Sequence, residues 1–249
     1  VALITVGAVE DFSVAPGASL RHEVGEVRGI SSARVLSNTF DSFPDVDFEY
    51  GVSKKPRGLG LQSLRLEKDA QVFLKRLFHK TTKLYLLAWA WDLSGAPLYM
   101  YPDSIVGAPG CVIPLKSNAV REFLGSGALL FPPRPVTSGL QLRIQIWESR
   151  AGVRAFGEAM SAVATAVDGS DLNKILTGLA MVGGPVPMTI AAVKEASVLL
   201  ASIIGPILKS YGDEVLDFYE GNFPALKPWP RKPSSYRGLG TSIALSHLN

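Results

Sequence analysis

The hydrophobic pattern of this chain changes period partway along, and that change limits the possible folds more than any other feature. Leu140–Glu148 (LQLRIQIWE) alternates: Leu140, Leu142, Ile144 and Ile146 share one face, and Gln141, Arg143 and Gln145 share the other. That is the pattern of a half-buried strand with its polar residues facing out. Just beyond it, Val153, Phe156, Met160, Val163 and Val167 recur at spacings of 3 and 4, the stripe of an amphipathic helix. The chain therefore needs a fold in which a strand-rich part and a helical part share one core, without regular strand–helix alternation.

The other strand signals lie on both sides of the helical block. Lys83–Leu93 (KLYLLAWAWDL) sets Tyr85, Leu87, Trp89 and Trp91 against Leu84, Leu86, Ala88 and Ala90. With both faces apolar, it reads as a central strand. Val1–Val9 and Thr241–Leu248 read as strands, as do Leu98–Tyr101, Asn222–Leu226 and the shorter stretches His22–Val27, Ala33–Leu36 and Asp41–Tyr50. Ser63–Lys83 is ambiguous and leans towards strand. KKPRGLG at 54–60 and KPWPRKPSSYRGLG at 227–240 read as loops, and PPRP at 132–135 as a stiff connector. Asp168-Gly169-Ser170 ends the first helix, with Ser170 or Asp171 capping a second. Gly183–Pro187 breaks that one, a third covers about Met188–Leu208, and Tyr211–Tyr219 extends the helical region. The expected architecture is one α+β domain over 1–249: an antiparallel β-sandwich from 1–150 and 221–249, with a helical insertion at 152–220.

Composition excludes several classes. The chain is 47% hydrophobic and 19% charged over 249 residues, which is enough apolar material for a sizeable core. The 25 basic and 22 acidic residues leave a net charge of +3, too small for a nucleic-acid protein with a dense basic stripe. Cys111 is the single cysteine, so no intrachain disulfide is expected. The N-terminal VALITVGAVEDF lacks the pattern of a signal peptide, and a cytoplasmic location is expected.

No arrangement of residues announces catalysis, and no cofactor is implied. His22, His79 and His247 are scattered, without metal-ligand spacing. Cys111, in GAPGCVIP, reads as a buried structural cysteine. There is no nucleophile elbow, because Gly125-Ser126-Gly127 is only a turn, and there is no phosphate loop. Asp41, Asp45, Asp47 and Glu49 are weak candidates for a calcium site or for a carboxylate pair. Asp213, Glu214, Asp217 and Glu220 form a second acidic cluster. The plainer reading of each is a solvated strand face and a solvated helix end. Trp89, Trp91, Tyr99 and Tyr101 could make a stacking platform, but on a strand with two apolar faces they read as core.

Ile175–Leu208 is apolar, rich in small residues, and contains only Lys194 and Glu195 as charges. Ile175, Leu176, Leu179, Val198, Leu199, Ile203 and Ile204 are candidates for membrane insertion. The competing reading is a helical pair buried on the sandwich, favoured because glycines and prolines interrupt the apolar length.

Leu140–Glu148 followed by Ser149-Arg150-Ala151-Gly152 resembles the stretch of C2-type β-sandwiches in which an alternating strand ending in Trp and an acid runs into a calcium-binding loop. The resemblance covers these residues alone. Calcium-dependent members place repeated aspartates where this chain has Ser149 and Arg150, so the resemblance implies a sandwich and no calcium site.

The leading functional expectation is a non-enzymatic interaction module that meets a protein partner or a lipid surface through sandwich loops. Lys54, Lys55, Arg57, Trp229, Arg231 and Lys232 are its candidate contacts. The alternatives are a membrane-inserting or pore-forming effector, a structural or assembly protein (homo-oligomerisation through sheet edges is open to it), and a hydrolase whose site forms only on folding.

Overall fold

The computed structural model describes residues 3–7, 51–67, 81–102, 111–149, 153–171, 214–238 and 240–248, together with 174, 199, 203, 204, 206, 207, 210 and 212. Eleven strands fall in these residues: β1 (Leu3–Gly7), β2 (Arg57–Leu66), β3 (Thr82–Trp91), β4 (Tyr99–Tyr101), β5 (Ile113–Leu115), β6 (Val120–Glu122), β7 (Ala128–Arg134), β8 (Gly139–Glu148), β9 (Glu214–Pro224), β10 (Ser234–Arg237) and β11 (Thr241–Leu248). The helix α1 (Val153–Asp168) lies between β8 and β9.

The strands form two antiparallel sheets. The first runs β1-β9-β8-β3-β4, with β5 also on β3; the second runs β10-β11-β2-β6, with β7 also on β2. Their inner faces make one core. β3 supplies Leu84, Leu86, Ala88 and Ala90, and β8 supplies Leu140, Leu142, Ile144 and Ile146. From the second sheet come Leu59, Leu61, Leu64, Leu66, Ile243 and Leu245. The sandwich expectation holds at this level. The two faces read for the β3 stretch are both buried, as a central strand requires.

The outer face of the first sheet carries a second apolar layer. Tyr85, Leu87, Trp89, Trp91 and Trp147 pack there with Ala159, Val163 and Val167 of α1 and with the helical residue Ile204. The helix read from the 3-and-4 spacing is thus present and covers the sheet. It stops where expected: the Gly169 amide donates to Thr165 O and the Ser170 hydroxyl to Val167 O. Ser170 therefore closes the end of α1; the helix expected after it begins outside the described residues.

Four expectations need correction. Gln141, Arg143 and Gln145 do not face solvent; each is 5% exposed or less, because α1 and its neighbours cover that side of β8. Glu214–Tyr219 is strand, not helix, and extends β9 back to Glu214 along β8. Arg57–Gly60 and Ser234–Arg237 belong to β2 and β10, not to loops. Pro132–Arg134 continues β7, whose described ladder is with β2 alone, an edge position where prolines are tolerated. The stretches His22–Val27, Ala33–Leu36 and Asp41–Tyr50 lie outside the described residues.

Candidate functional site: a basic end of the sandwich

The strands place several chain reversals at one end of the molecule. β2, β8 and β10 begin there, and β3, β7, β9 and β11 finish there. Ser138 ties three of the segments together. Its amide donates to Gly51 O at 2.7 Å, and its carbonyl accepts from the Ala225 amide at 3.1 Å. It does so at a φ of 60°, a left-handed conformation uncommon for a residue with a side chain. Ser53 adds a second tie: its amide donates to Val136 O, and its hydroxyl oxygen accepts from the Val136 amide at 2.9 Å. The 51–57 and 225–232 segments are held side by side.

Two groups of basic residues that are distant in sequence therefore meet. The Arg57 guanidinium lies 5.3 Å from the centre of the Trp229 ring and donates to Lys227 O at 3.4 Å. Lys54, Lys55, Arg231 and Lys232 are exposed around this pair, and Lys227 is half-buried. Arg57 faces Arg134 across β2 and β7. Arg134 stands 4.5 Å over the Phe131 ring and 3.7 Å from Asp92. Asp92 is fully buried and accepts from the Thr137 amide and the Ser94 hydroxyl. Val52 and Leu226 are 55% and 43% exposed. Leu226 packs beside Gly51, the residue before Val52: a methyl group built on Gly51 would meet Leu226 Cδ1 at 2.9 Å. The end presents a basic ring around a small apolar tip.

Trp229 departs from its expected role. It is 6% exposed, its indole N–H donates to Pro224 O at 2.8 Å, and it packs on Phe223 and His247. It supports the loop from beneath and is no interfacial anchor. Arg57 is likewise a support. Of the six candidate contacts, Lys54, Lys55, Arg231 and Lys232 remain on the surface, and Lys227, Val52 and Leu226 join them. Lys227 opens the loop already read as basic, whereas Val52 and Leu226 were missed because nothing local marks an exposed valine or leucine; only the tie through Ser138 brings the two segments together.

The remaining candidates resolve as follows. Trp89 and Trp91 lie on the outer face of β3, whereas Tyr99 and Tyr101 pair with Ala90 and Ala88 and pack towards the inner core, so no joint platform forms. Asp217 is buried and accepts from the Gly240 and Thr241 amides and the Thr241 hydroxyl. Glu220 lies 4.0 Å from Arg143. The second acidic cluster is therefore split between the two faces of β9. Asp41, Asp45, Asp47 and Glu49 lie outside the described residues. Among the described residues, no three His, Cys, Asp or Glu side chains converge to hold a metal ion. His247 is buried, with Nε2 3.1 Å from the Ser234 hydroxyl, and burial lowers its pKa. Cys111 is 5% exposed, and burial raises its thiol pKa, as in an inert structural cysteine. Leu199, Ile203 and Ile204 pack against the outer face of the first sheet, while Ile175, Leu176, Leu179 and Val198 lie outside the described residues. No described helix is long and apolar enough to cross a membrane.

No family model matches the chain, and neither a curated protein nor a solved structure does.

Proposed function

We propose that this chain is a non-enzymatic interaction module that docks on an anionic lipid surface through the basic end of its sandwich. The observation that carries the reading is the packing of Arg57 on Trp229. It joins two basic segments into one surface and leaves Val52 and Leu226 exposed at its tip. An acidic protein partner would use the cations alone. A lipid surface uses both parts, since lysines and arginines gain in the negative surface potential while small apolar side chains enter the headgroup region.

The test is co-sedimentation with vesicles containing phosphatidylserine. Replacing Lys54, Lys55, Arg231 and Lys232 by Gln removes four exposed cations without touching Arg57 or Trp229. At about 1 kcal/mol per basic residue, the four replacements are expected to lower affinity on the order of a thousandfold. Binding to neutral phosphatidylcholine vesicles should be weak for both proteins. Equal binding of the wild type and the quadruple variant to the anionic vesicles would refute the proposal.

A further inference from the structure

The outer face of the first sheet holds a polar arrangement that the basic end does not use. Strand register sets nine residues in three rows. Trp91, Gln141 and Asn222 stand opposite one another, then Trp89, Arg143 and Glu220, then Leu87, Gln145 and Phe218. Arg143 is at the centre, fully buried, with its guanidinium 5.5 Å from the Phe218 ring. Around it, four polar atoms have no hydrogen-bond partner among the described residues: Trp89 Nε1, Trp91 Nε1, Gln145 Nε2 and Asn222 Oδ1. Their residues are 0%, 1%, 0% and 3% exposed. Buried polar groups are nearly always satisfied, so four in one patch require an explanation. The orientation of the Gln145 amide is fixed, because its oxygen accepts from Trp147 Nε1 at 3.0 Å and its nitrogen must point elsewhere.

We propose that this face, beneath α1, is a binding site for an uncharged apolar molecule bearing carbonyl oxygens. Three of the four open groups are donors, so the complement must be rich in acceptors. Arg143 and Glu220 already offset each other at 4.0 Å. An added buried charge would be repelled by one of them without a new counter-ion, which selects a neutral molecule. The surroundings are indole and phenyl rings on the sheet side and Ala159, Val163, Val167 and Ile204 on the helix side, a lining for an apolar body.

An acyl ester and an aromatic ketone both have this chemistry. The full chain is titrated, without vesicles, with monooctanoylglycerol below its micellar concentration, with a naphthoquinone and with octanoate. Binding is read by native mass spectrometry and by the shift in Tm. At least one neutral carbonyl compound should bind saturably, more tightly than octanoate, and which one does so distinguishes the two sources. Trp89→Phe and Trp91→Phe each remove one indole donor while keeping an aromatic ring. Each should weaken binding about tenfold, the worth of one hydrogen bond. Both also leave a small cavity in a close-packed face, so the Tm and far-ultraviolet circular dichroism of the unliganded variants serve only to show that they are folded. The proposal is overturned by no saturable binding of either neutral compound, by tighter binding of octanoate, or by affinity insensitive to both variants. The quadruple Gln variant of the basic end should bind these compounds like the wild type, so this outcome is independent of the vesicle experiment.

Discussion

Arg143 imposes the strictest energetic condition on the molecule. It is fully buried, its pKa is lowered by burial with Glu220 opposing that shift, and the two charges are 4.0 Å apart. Removing one partner of a buried pair costs about 3–5 kcal/mol, whereas replacing both with apolar residues is often neutral. Arg143→Met should therefore lower the urea midpoint sharply, and Arg143→Met combined with Glu220→Leu should recover most of the loss. His247 sets a milder condition with a definite sign. Burial holds its pKa below the ordinary value, which is about 6.5. Between that value and its lowered pKa, the unfolded chain binds more protons than the folded one. The contribution of His247 is thus complete above about pH 6.5 and is lost as pH falls below it. The urea midpoint should drop between pH 7 and pH 5, and His247→Phe, which keeps a ring against Phe223 and Trp229, should flatten part of that drop. Neither condition is legible in the sequence. A polar residue alternating with leucines reads as solvent-facing by default, and the acid that faces Arg143 lies on β9, beyond the helical block.

The elements divide by whether their pattern is local. β3, β8, β11 and α1 were legible because each carries its own period: two faces for β3, alternation for β8 and β11, a 3-and-4 stripe for α1. The start of β9 was not, because Glu214, Asp217 and Glu220 look like the charges of a helix end. Asp217 is tolerable on the inner face only because the Gly240 and Thr241 amides donate to it. The Trp229 loop misled in the opposite way: its prolines mark an irregular segment, but its tryptophan turns inward on Phe223. Trp229→Ala should cost about 3–5 kcal/mol, as large-to-small core changes do, where a true interfacial residue would cost almost nothing in solution. α1 yields a prediction of its own. Among its described residues Ala159, Val163 and Val167 are buried on the sheet, with Met160 partly buried beside them; one helix face buries less than the core between the two sheets, so the cover should open at lower cost than the sandwich unfolds. Cys111 belongs to the same cluster and reports on it. Its thiol should react with Ellman's reagent at urea concentrations below the global midpoint, while far-ultraviolet circular dichroism still shows the intact sheets. Reaction only in step with global unfolding would show that cover and sandwich form a single cooperative unit.

At the scale of the whole molecule, the sandwich is polar along its strands. The basic end gathers Lys54, Lys55, Lys227, Arg231 and Lys232. At the opposite end Arg237 lies beside Glu67 at 3.8 Å. A ten-residue strand such as β3 separates the two ends by about 30 Å, at roughly 3.3 Å per residue. That is several Debye lengths at physiological salt, where the screening distance is about 8 Å. On the proposed lipid-docking reading, the contacts at the basic end act independently of the far end, and docking should have a single orientation. An environment-sensitive fluorophore attached through Cys makes this visible. At Val52, beside the exposed Leu226, its emission should shift to the blue when phosphatidylserine vesicles are added. At Lys116, which follows β5 at the Thr82 end of β3, the emission should stay unchanged. Raising the salt from about 0.1 M to about 1 M shortens the screening length to about 3 Å and should reverse the shift at Val52. A blue shift at both sites would mean that the molecule lies flat on the surface and that charge at the basic end does not orient it.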